Sequence, residues 1–376
     1  MSKFLYPAAA AFALVLGALT WSLANAEDST AARGPKVQLQ SIGALELGPD
    51  GVLFVADSLA GAVYALEMAF EAPEAATDGD SFGVENLDEK IAGLLGIGVR
   101  DIKVEDMAVH EDSGTTLLSV TRGRGDGSQP VLLQVSHDGK ISEVALEKVP
   151  HSRLAISDAP AKDAKLYRWE SRTFTVTDLE WVDGELFIAG LSNEEFASVL
   201  RRAPYPFGAD VKSTGLEIYH GAHGEYETFA PIFSFLPYEI SGKKHLLAGY
   251  LCTPLVTFPL DEVRGKERLR GKTIAELGWG NLPRDLVPFR QDGEDWVLIV
   301  NSSRGTMKVK AKDIAAAQKR PGITEEVGPR IGVEDHTSPV GTVAQAARLG
   351  DRHIALLLRG LDDGALHLTA RSTARL

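Results

Sequence analysis

The sequence contains one cysteine, Cys252, which excludes an intramolecular disulfide. Exported proteins commonly rely on disulfides for stability. Without one, this protein must be stabilised by a large apolar core, which 376 residues that are 44% hydrophobic can supply. A lone cysteine is either a buried, inert side chain or a reactive or metal-ligating thiol. The same scarcity excludes covalent haem held by a Cys-x-x-Cys-His motif.

Positive charge is also scarce, with 39 Lys and Arg against 52 Asp and Glu and a formal net charge of −13. An acidic surface repels the phosphates of nucleic acids and of anionic lipids. A Gly-rich phosphate-binding loop is absent as well. We therefore expect a small molecule or another exported protein as the partner, and no nucleic acid.

The first 26 residues have the order of a secretory signal peptide. Lys3 gives a positive start, residues 8–19 are almost wholly apolar, and Ala24-Asn25-Ala26 fits the A-x-A cleavage pattern. An uncleaved membrane anchor over residues 4–23 is the alternative, because about 20 apolar residues span a bilayer. We predict a signal peptide at 1–26, a flexible stretch at 27–36, and a periplasmic or secreted protein without stable membrane insertion. Cleavage removes one lysine and no acid, so the mature chain has a formal charge of −14.

Residues 42–68 show the pattern that the rest of the chain repeats. Three apolar runs, IGALEL, VLFVAD and AVYALEM, are separated by Pro49-Asp50-Gly51 and by Ser-Leu-Ala-Gly at 58–61. Pro fixes φ and Gly accepts a positive φ, so Pro-Asp-Gly favours a tight turn. Short β-rich runs bounded by such turns predict consecutive antiparallel strands.

This layout recurs in six units, roughly 50 to 70 residues apart, which is enough for four strands and connecting loops. Their first strands are centred on Leu45, Met107, Leu179, Ile232, Leu286 and Val343. The pattern predicts an all-β fold, a six-bladed β-propeller over residues 37–376 with short helical insertions. A β-sandwich or a pair of β domains is the alternative, because turn-bounded strands occur there too.

Two local features refine this prediction. Residues 86–96 predict a helix with Asn86 as N-cap, Glu89 completing a capping box and Gly96 ending it, and a second helix is expected at 312–320. The sixth unit shows only three strands. We predict that residues 37–40 supply its fourth strand beside 365–370 and close the ring.

The runs GPDGVLFVADSLAGAVYAL at 48–66 and DLEWVDGELFIAG at 178–190 resemble a superfamily of six-bladed propellers. It includes NHL-repeat proteins and gluconolactonase-like enzymes, and the resemblance implies the architecture. The gluconolactonase-like enzymes have a metal-binding Glu at the start of the first inner strand. Gly43 and Ala44 occupy that place here, so the resemblance does not extend to the lactonase metal site.

Propellers bind ligands at one end of the central channel. If the chain enters each blade by its innermost strand, then the entry loops share a face with the turns between the second and third strands. Asp106, Asp178 and Asp285 stand at such entries, and three carboxylates near the axis would suit Ca²⁺ or Mg²⁺. Alternatively, each aspartate caps its own turn.

A second set of candidate ligands lies around the fourth unit. His220 and His223 stand in the Gly-rich loop that enters it, and Cys252 lies between its second and third strands. Two imidazoles and a thiolate suit copper or zinc. His336, in the loop into the sixth unit, is predicted on the same face. The alternative is surface histidines and a buried cysteine.

Further polar and aromatic side chains occupy the same loops and turns and are predicted to bind ligand. Guanidinium groups in particular suit carboxylates and phosphates, although they can also pair with the channel aspartates. The candidates are Arg122, Asn193, Trp279, Arg284, Asn301 and Arg304.

Two functions fit these observations. One is an exported binding protein that holds a ligand, a metal ion or a partner protein at one face of the channel. The other is a metal-dependent, lactonase-like hydrolase acting at the same channel mouth. The fold does not decide between them, but Gly43 and Ala44 interrupt the one enzyme pattern that the resemblance offers, which favours binding.

Overall fold

The structure is a computed structural model that describes residues 36–71, 82–208, 210–252 and 254–376. It confirms the predicted fold, because its strands form six antiparallel blades arranged in a propeller ring. The predicted signal peptide and nearly all of the stretch at 27–36 lie outside the described residues. Within those residues, no helix has the length and apolar character needed to cross a membrane.

We number the blades by the order of their innermost strands in the chain and describe each from the channel outward. Blade 1 contains Leu45–Leu47, Val52–Asp57, Ala62–Glu67 and His151–Ala155, and blade 2 contains Ile102–His110, Thr115–Arg122, Gln129–Val135 and Ile141–Glu143. Blade 3 contains Asp178–Val182, Glu185–Leu191, Ser198–Pro204 and Lys212–His220, with Glu225–Glu227 and Arg268–Arg270 at its edge, and blade 4 contains Ile232–Ile240, Lys243–Tyr250, Pro254–Pro259, Lys272–Leu277 and Arg330–Ile331. Blade 5 contains Pro283–Gln291, Glu294–Asn301, Met307–Lys310 and Asp335–Thr337, and blade 6 contains Thr342–Leu349, His353–Arg359, Leu366–Ser372 and Gly83–Val84.

The insertions are short. The helices α1, α2 and α3 span Leu87–Leu95, Leu260–Gly265 and Ala311–Lys319, and a small hairpin pairs Lys165–Leu166 with Trp169–Glu170. Helix α1 confirms the predicted helix, and Gly96 ends it with φ +66°. The predicted capping box is wrong, because Asn86 has φ +51° and its side chain caps no backbone N–H.

The blades do not follow chain order around the ring. Blade 2 packs between blades 6 and 1, so the ring runs 2–1–3–4–5–6. A separate apolar core fills each of the six interfaces in this order. The chain leaves blade 1 after three strands, adds Gly83–Val84 to blade 6, builds blade 2, and then returns to complete blade 1 with His151–Ala155.

The predicted closure by residues 37–40 is wrong. Val84 pairs with Leu368 and supplies the fourth strand of blade 6. Residues 37–40 form no strand, because the N–H groups of Gln40 and Ser41 donate to the buried Asp57 carboxylate at 2.7 and 2.9 Å. This carboxylate holds the segment against blade 1 and away from the blade 6 edge.

The innermost strands of blades 2, 4, 5 and 6 share an irregularity. Each has a register shift immediately before one polar residue, namely Asp106, Ser234, Asp285 or Gln345. A β-bulge redirects side chains locally. These positions, together with Asp178 in blade 3, give the channel its polar lining.

Candidate metal centre

A tight turn at the edge of blade 3 gathers three polar side chains. His220 ends the strand Lys212–His220, and its carbonyl accepts the N–H groups of His223 and Gly224 at 3.0 and 2.9 Å. Gly224 has φ +71°, a conformation that glycine adopts without strain. The chain then returns antiparallel, so Glu227 pairs with Ile218 and lies beside both histidines.

Cys252 approaches these histidines from blade 4. It lies in the turn between the second and third strands, as the sequence predicts, and has φ +67°, which few residues with a side chain adopt. Its N–H donates to the Asn281 carbonyl at 3.1 Å, and the Gly280 N–H approaches its Sγ at 3.4 Å. The backbone of the neighbouring loop therefore fixes the position of the thiol.

The ligand atoms of His220, His223 and Cys252 lie within 4.8 Å of one another. The two imidazole rings are tilted by 35° with centroids 3.8 Å apart. A tetrahedral zinc ion would hold such nitrogen and sulfur atoms roughly 3.3 to 3.6 Å apart, given its usual bond lengths. Small side-chain rotations would therefore complete a coordination sphere, and the structure brings these predicted residues together.

Glu227 orients both imidazoles. Its two oxygens lie 3.0 Å from His220 Nδ1 and 2.5 Å from His223 Nδ1. Glu227 is buried, and a buried carboxylate between two imidazoles fixes the tautomer that carries a proton on each Nδ1. Both Nε2 atoms then remain for another partner, an arrangement typical of histidines that bind metals.

His220 is the most constrained member of the cluster. Its side chain is 1% exposed, and its Nε2 atom has no hydrogen-bond partner. Burial opposes protonation, but in the metal-free protein the nearby Cys252 and Glu227 side chains outweigh it and raise the pKa of His220 to about 9, so a metal ion at Nε2 would displace a proton. The proximity of His220 lowers the pKa of Cys252 despite partial burial. The pair therefore favours a thiolate, the form of cysteine that binds metals.

A cavity of about 520 Å³ opens beside the cluster. Its lining also includes the aromatic and apolar side chains of Tyr167, Trp169, Phe229, Leu251 and Leu282. The mouth of the central channel lies next to it, because Trp169, Leu251 and Leu282 line both spaces. The cluster therefore lies beside the channel mouth and not on the axis.

The three predicted channel aspartates have a different role from the one expected. Each accepts a backbone N–H from the innermost strand of the next blade. Asp106 accepts from Leu45 at 2.7 Å, Asp178 from Phe235 at 2.8 Å, and Asp285 from Ala346 at 2.8 Å.

These bonds run in one direction around the ring, from blade 2 to 1, from 3 to 4 and from 5 to 6. Among the described residues, Asp106, Asp178 and Asp285 belong to no group of ligand atoms within 4.8 Å. The geometry does not support the shared Ca²⁺ or Mg²⁺ site. The turn-capping alternative holds only in part, because Asp178 also accepts its neighbour Leu179 N–H at 2.9 Å.

Two further acids line the channel that the sequence analysis did not select. Glu46 accepts the Trp181 N–H at 3.0 Å and so joins blade 1 to blade 3, and Glu180 lies close to it. Burial raises the pKa of Glu46 to about 8 and that of Asp106 to about 7. Burial and mutual repulsion also raise the pKa values of Asp178, Glu180 and Asp285. The inward-facing positions of Glu46 and Glu180, between apolar neighbours on inner strands, were the available signal.

His336 does not join the site. It lies on the outermost strand of blade 5, with its ring 5.4 Å from that of Trp296. There it forms a separate group with Asp313 and Glu334, whose ligand atoms lie within 4.8 Å of one another. The prediction of its position was wrong because residues 335–337 form a strand of blade 5 and not an entry loop to blade 6.

The residues predicted to bind ligand are dispersed. Arg284 is exposed at the channel mouth, whereas Asn301 is buried and bonded to Asn281 at 2.5 Å. Arg304 donates to the carbonyl of Trp279 at 2.8 Å, beside the cluster but outside the cavity wall.

The other two candidates lie apart from the cavity that contains Cys252. Arg122 ends the second strand of blade 2, and Asn193 is exposed, with its N–H bonded to the Asp158 carbonyl at 2.8 Å. The structure therefore supplies no common ligand site for these six residues.

Comparisons with known proteins identify no family. No family model matches the chain, and no curated protein matches it. Solved structures that resemble it include the extracellular domain of a one-component system from B. thetaiotaomicron, with TM-score 0.34, 8% identity, and coverage of 89% of this chain and 39% of that one.

Two further structures resemble the chain at a similar level. Raptor from Chaetomium thermophilum has TM-score 0.34 and 12% identity, with 90% of this chain and 25% of that chain covered. A chain of the Mitotic Checkpoint Complex has TM-score 0.32 and 9% identity, with 90% and 92% covered. The chain thus spans well under half of the first two structures.

Proposed function

We propose that this protein is an exported propeller that binds a transition-metal ion, copper or zinc, through His220, His223 and Cys252. The observation that carries the proposal is the buried Nε2 atom of His220, which has no partner while Glu227 holds the opposite nitrogen. Leaving a buried polar atom unsatisfied costs about 1 to 3 kcal/mol. A metal ion at this position would satisfy it.

The donor set narrows the choice of ion. Thiolate and imidazole suit copper and zinc, whereas calcium and magnesium require oxygen ligands. Two imidazoles with a thiolate are known from both copper and zinc sites, and copper forms the more stable complexes in the divalent series. We therefore expect either ion to bind and divalent copper to bind more tightly than zinc.

Binding fits the cavity better than hydrolysis does. Glu227 is the one carboxylate that lines this cavity among the described residues, and both of its oxygens contact histidine. A hydrolytic site would need a free general base close to the metal-bound water. A metal-dependent hydrolase stays the alternative, and ester hydrolysis by the zinc-loaded protein would support it.

Export and the nature of the partner complete the proposal. The signal peptide order of residues 1–26 supports a periplasmic or secreted location. The acidic composition supports a small molecule or another exported protein as the partner. The six-bladed architecture agrees with the NHL-like resemblance, although Gly43 and Ala44 stand where a gluconolactonase-like enzyme has its metal-binding Glu.

Titration of the purified, metal-free protein with zinc tests the proposal. We expect one equivalent to bind and the His223→Ala and Cys252→Ser variants to lose at least about tenfold in affinity. His223 is suitable because its side chain is 38% exposed, so its removal leaves the fold intact. The matched control is His137→Ala, an exposed histidine in a turn of blade 2. Wild-type affinity in both variants, or no stoichiometric binding by the wild type, would overturn the proposal.

A further inference from the structure

We infer that the metal centre keeps one coordination position open toward the adjoining cavity, and that this position takes a small aromatic molecule with an anionic metal-binding group. The inference rests on the proposed function and names the ligand class of the same site. It depends on the separate observation that aromatic side chains line the same cavity, and that two of them, Tyr167 and Trp169, lie on a separate hairpin of the chain.

The protein supplies three donors to this position. His220 and His223 extend from the edge of blade 3 and Cys252 from blade 4, and no fourth metal-ligating side chain joins this group within 4.8 Å in the described part of the chain. Glu227 is not free to ligate, because both of its oxygens contact the Nδ1 atoms. Zinc with three protein ligands usually takes a fourth from water or substrate.

The aromatic lining of the cavity has the chemistry to contact a ring. The hairpin of residues 165–170 places Tyr167 at its turn, with its ring edge-on to Phe229 at 6.0 Å and to Trp169 at 6.5 Å. Aromatic rings prefer such edge-to-face contacts, and a bound ring would extend them. Leu251 and Leu282 add apolar surface.

The size and charge of the cavity narrow the ligand class. A volume of about 520 Å³ is within the range of small-molecule sites and exceeds the space that a water ligand needs. Arg168 lines the same cavity with its guanidinium carbon 5.0 Å from the Trp169 ring centroid. A cation at this position favours an anionic donor, such as a deprotonated hydroxamate, over a neutral one.

The test uses the full protein loaded with cobalt(II), whose visible spectrum reports its ligands. Benzohydroxamate and acetohydroxamate carry the same metal-binding group, and only the first has a ring. We expect benzohydroxamate to change the cobalt spectrum and to bind at least about tenfold more tightly than acetohydroxamate. Tyr167→Ala should reduce this preference about fivefold. Tyr226→Ala is the matched control, because Tyr226 is 43% exposed and lies outside the cavity wall.

The outcomes separate the two proposals. Three results would overturn the open aromatic position without refuting the proposed metal site. They are equal affinity for both hydroxamates, an unchanged spectrum with cobalt still bound, and loss of cobalt to the filtrate after ultrafiltration. Absence of both bound cobalt and bound zinc before any hydroxamate is added would instead refute the metal centre itself. An equal loss of the preference for benzohydroxamate in Tyr167→Ala and Tyr226→Ala would also count against the inference, because the preference would then not depend on the residues that line the cavity.

Discussion

Replacing Asp106 by asparagine should make the protein more stable at alkaline pH and leave it nearly unchanged at acidic pH. Asparagine retains an oxygen that can accept the Leu45 N–H, so the bond between blades 2 and 1 is preserved while the charge is removed. The negative neighbours of Asp106 include Glu105, Glu46, Asp178, Glu180 and Asp285, so removing its charge also reduces repulsion in the channel.

The sign follows from proton binding. Burial raises the pKa of Asp106 to about 7, whereas an unfolded aspartate titrates near 3.9. Between about pH 4 and pH 7 the folded state holds a proton that the unfolded state has lost, so stability falls as the pH rises through this window. Glu46, with a pKa of about 8, acts in the same direction and extends the loss to higher pH.

The magnitude follows from the same difference. One pKa unit corresponds to about 1.4 kcal/mol, which limits the effect of Asp106 to about 4 kcal/mol. The side chain is half-buried and lies in a water-accessible channel, so screening reduces the expected gain for Asp106→Asn at pH 9 to about 2 kcal/mol. At pH 4 the variant and the wild type should differ by less than about 0.5 kcal/mol.

Urea unfolding followed by tryptophan fluorescence at pH 4, 7 and 9 measures these differences. The matched control is Asp126→Asn, an exposed carboxylate in a loop of blade 2, which should run parallel to the wild type. Parallel curves for Asp106→Asn and the wild type would refute the reasoning. Selective stabilisation of the wild type by millimolar Ca²⁺ would contradict it differently, because the channel acids would then serve as cation ligands.

Three further predictions concern other parts of the molecule. Gly190→Ala should lower the free energy of unfolding by more than about 2 kcal/mol, because the added Cβ would lie 2.2 Å from a backbone carbonyl oxygen. Gly93→Ala on helix α1 meets open space and should raise the free energy of unfolding by up to about 1 kcal/mol. Similar melting temperatures for the two variants would contradict this prediction. Arg201→Met should cost about 3 to 5 kcal/mol, since this 1% exposed side chain is ion-paired at 2.8 Å, and a cost no larger than that of the exposed Arg290→Met would show that the pair is not structural. Glu227→Gln should weaken zinc binding about 10- to 100-fold in a competition assay with a chelator, and unchanged affinity would show that the carboxylate does not orient the ligands.

The strands were predictable because turn residues mark their ends. The runs at 52–57 and 62–67 are bounded by Gly-containing turns, and the structure places strands there. The order of blades 1 and 2 around the ring was not predictable. It depends on Gly83–Val84 and His151–Ala155, which are too short and too irregular to show strand periodicity, and on which distant edge they pair with.

The candidate metal centre was also predictable only in part. His220, His223 and Cys252 were found because a propeller places entry loops and second-to-third-strand turns on one face. Glu227 follows both histidines in the same loop of the sequence, but its role could not be predicted, because it depends on the tight turn that brings the carboxylate back to both imidazoles. Tyr167 could not be selected, because the hairpin that carries it lies between blades and repeats no blade pattern.

X-ray absorption at the zinc edge of the zinc-loaded protein tests the central claim most directly. Our account predicts one sulfur scatterer at about 2.3 Å and two imidazole nitrogens at about 2.0 to 2.1 Å, with the sulfur lost in Cys252→Ser. A first shell of oxygen and nitrogen alone in the wild type, or a spectrum that the Cys252→Ser substitution leaves unchanged, would contradict it.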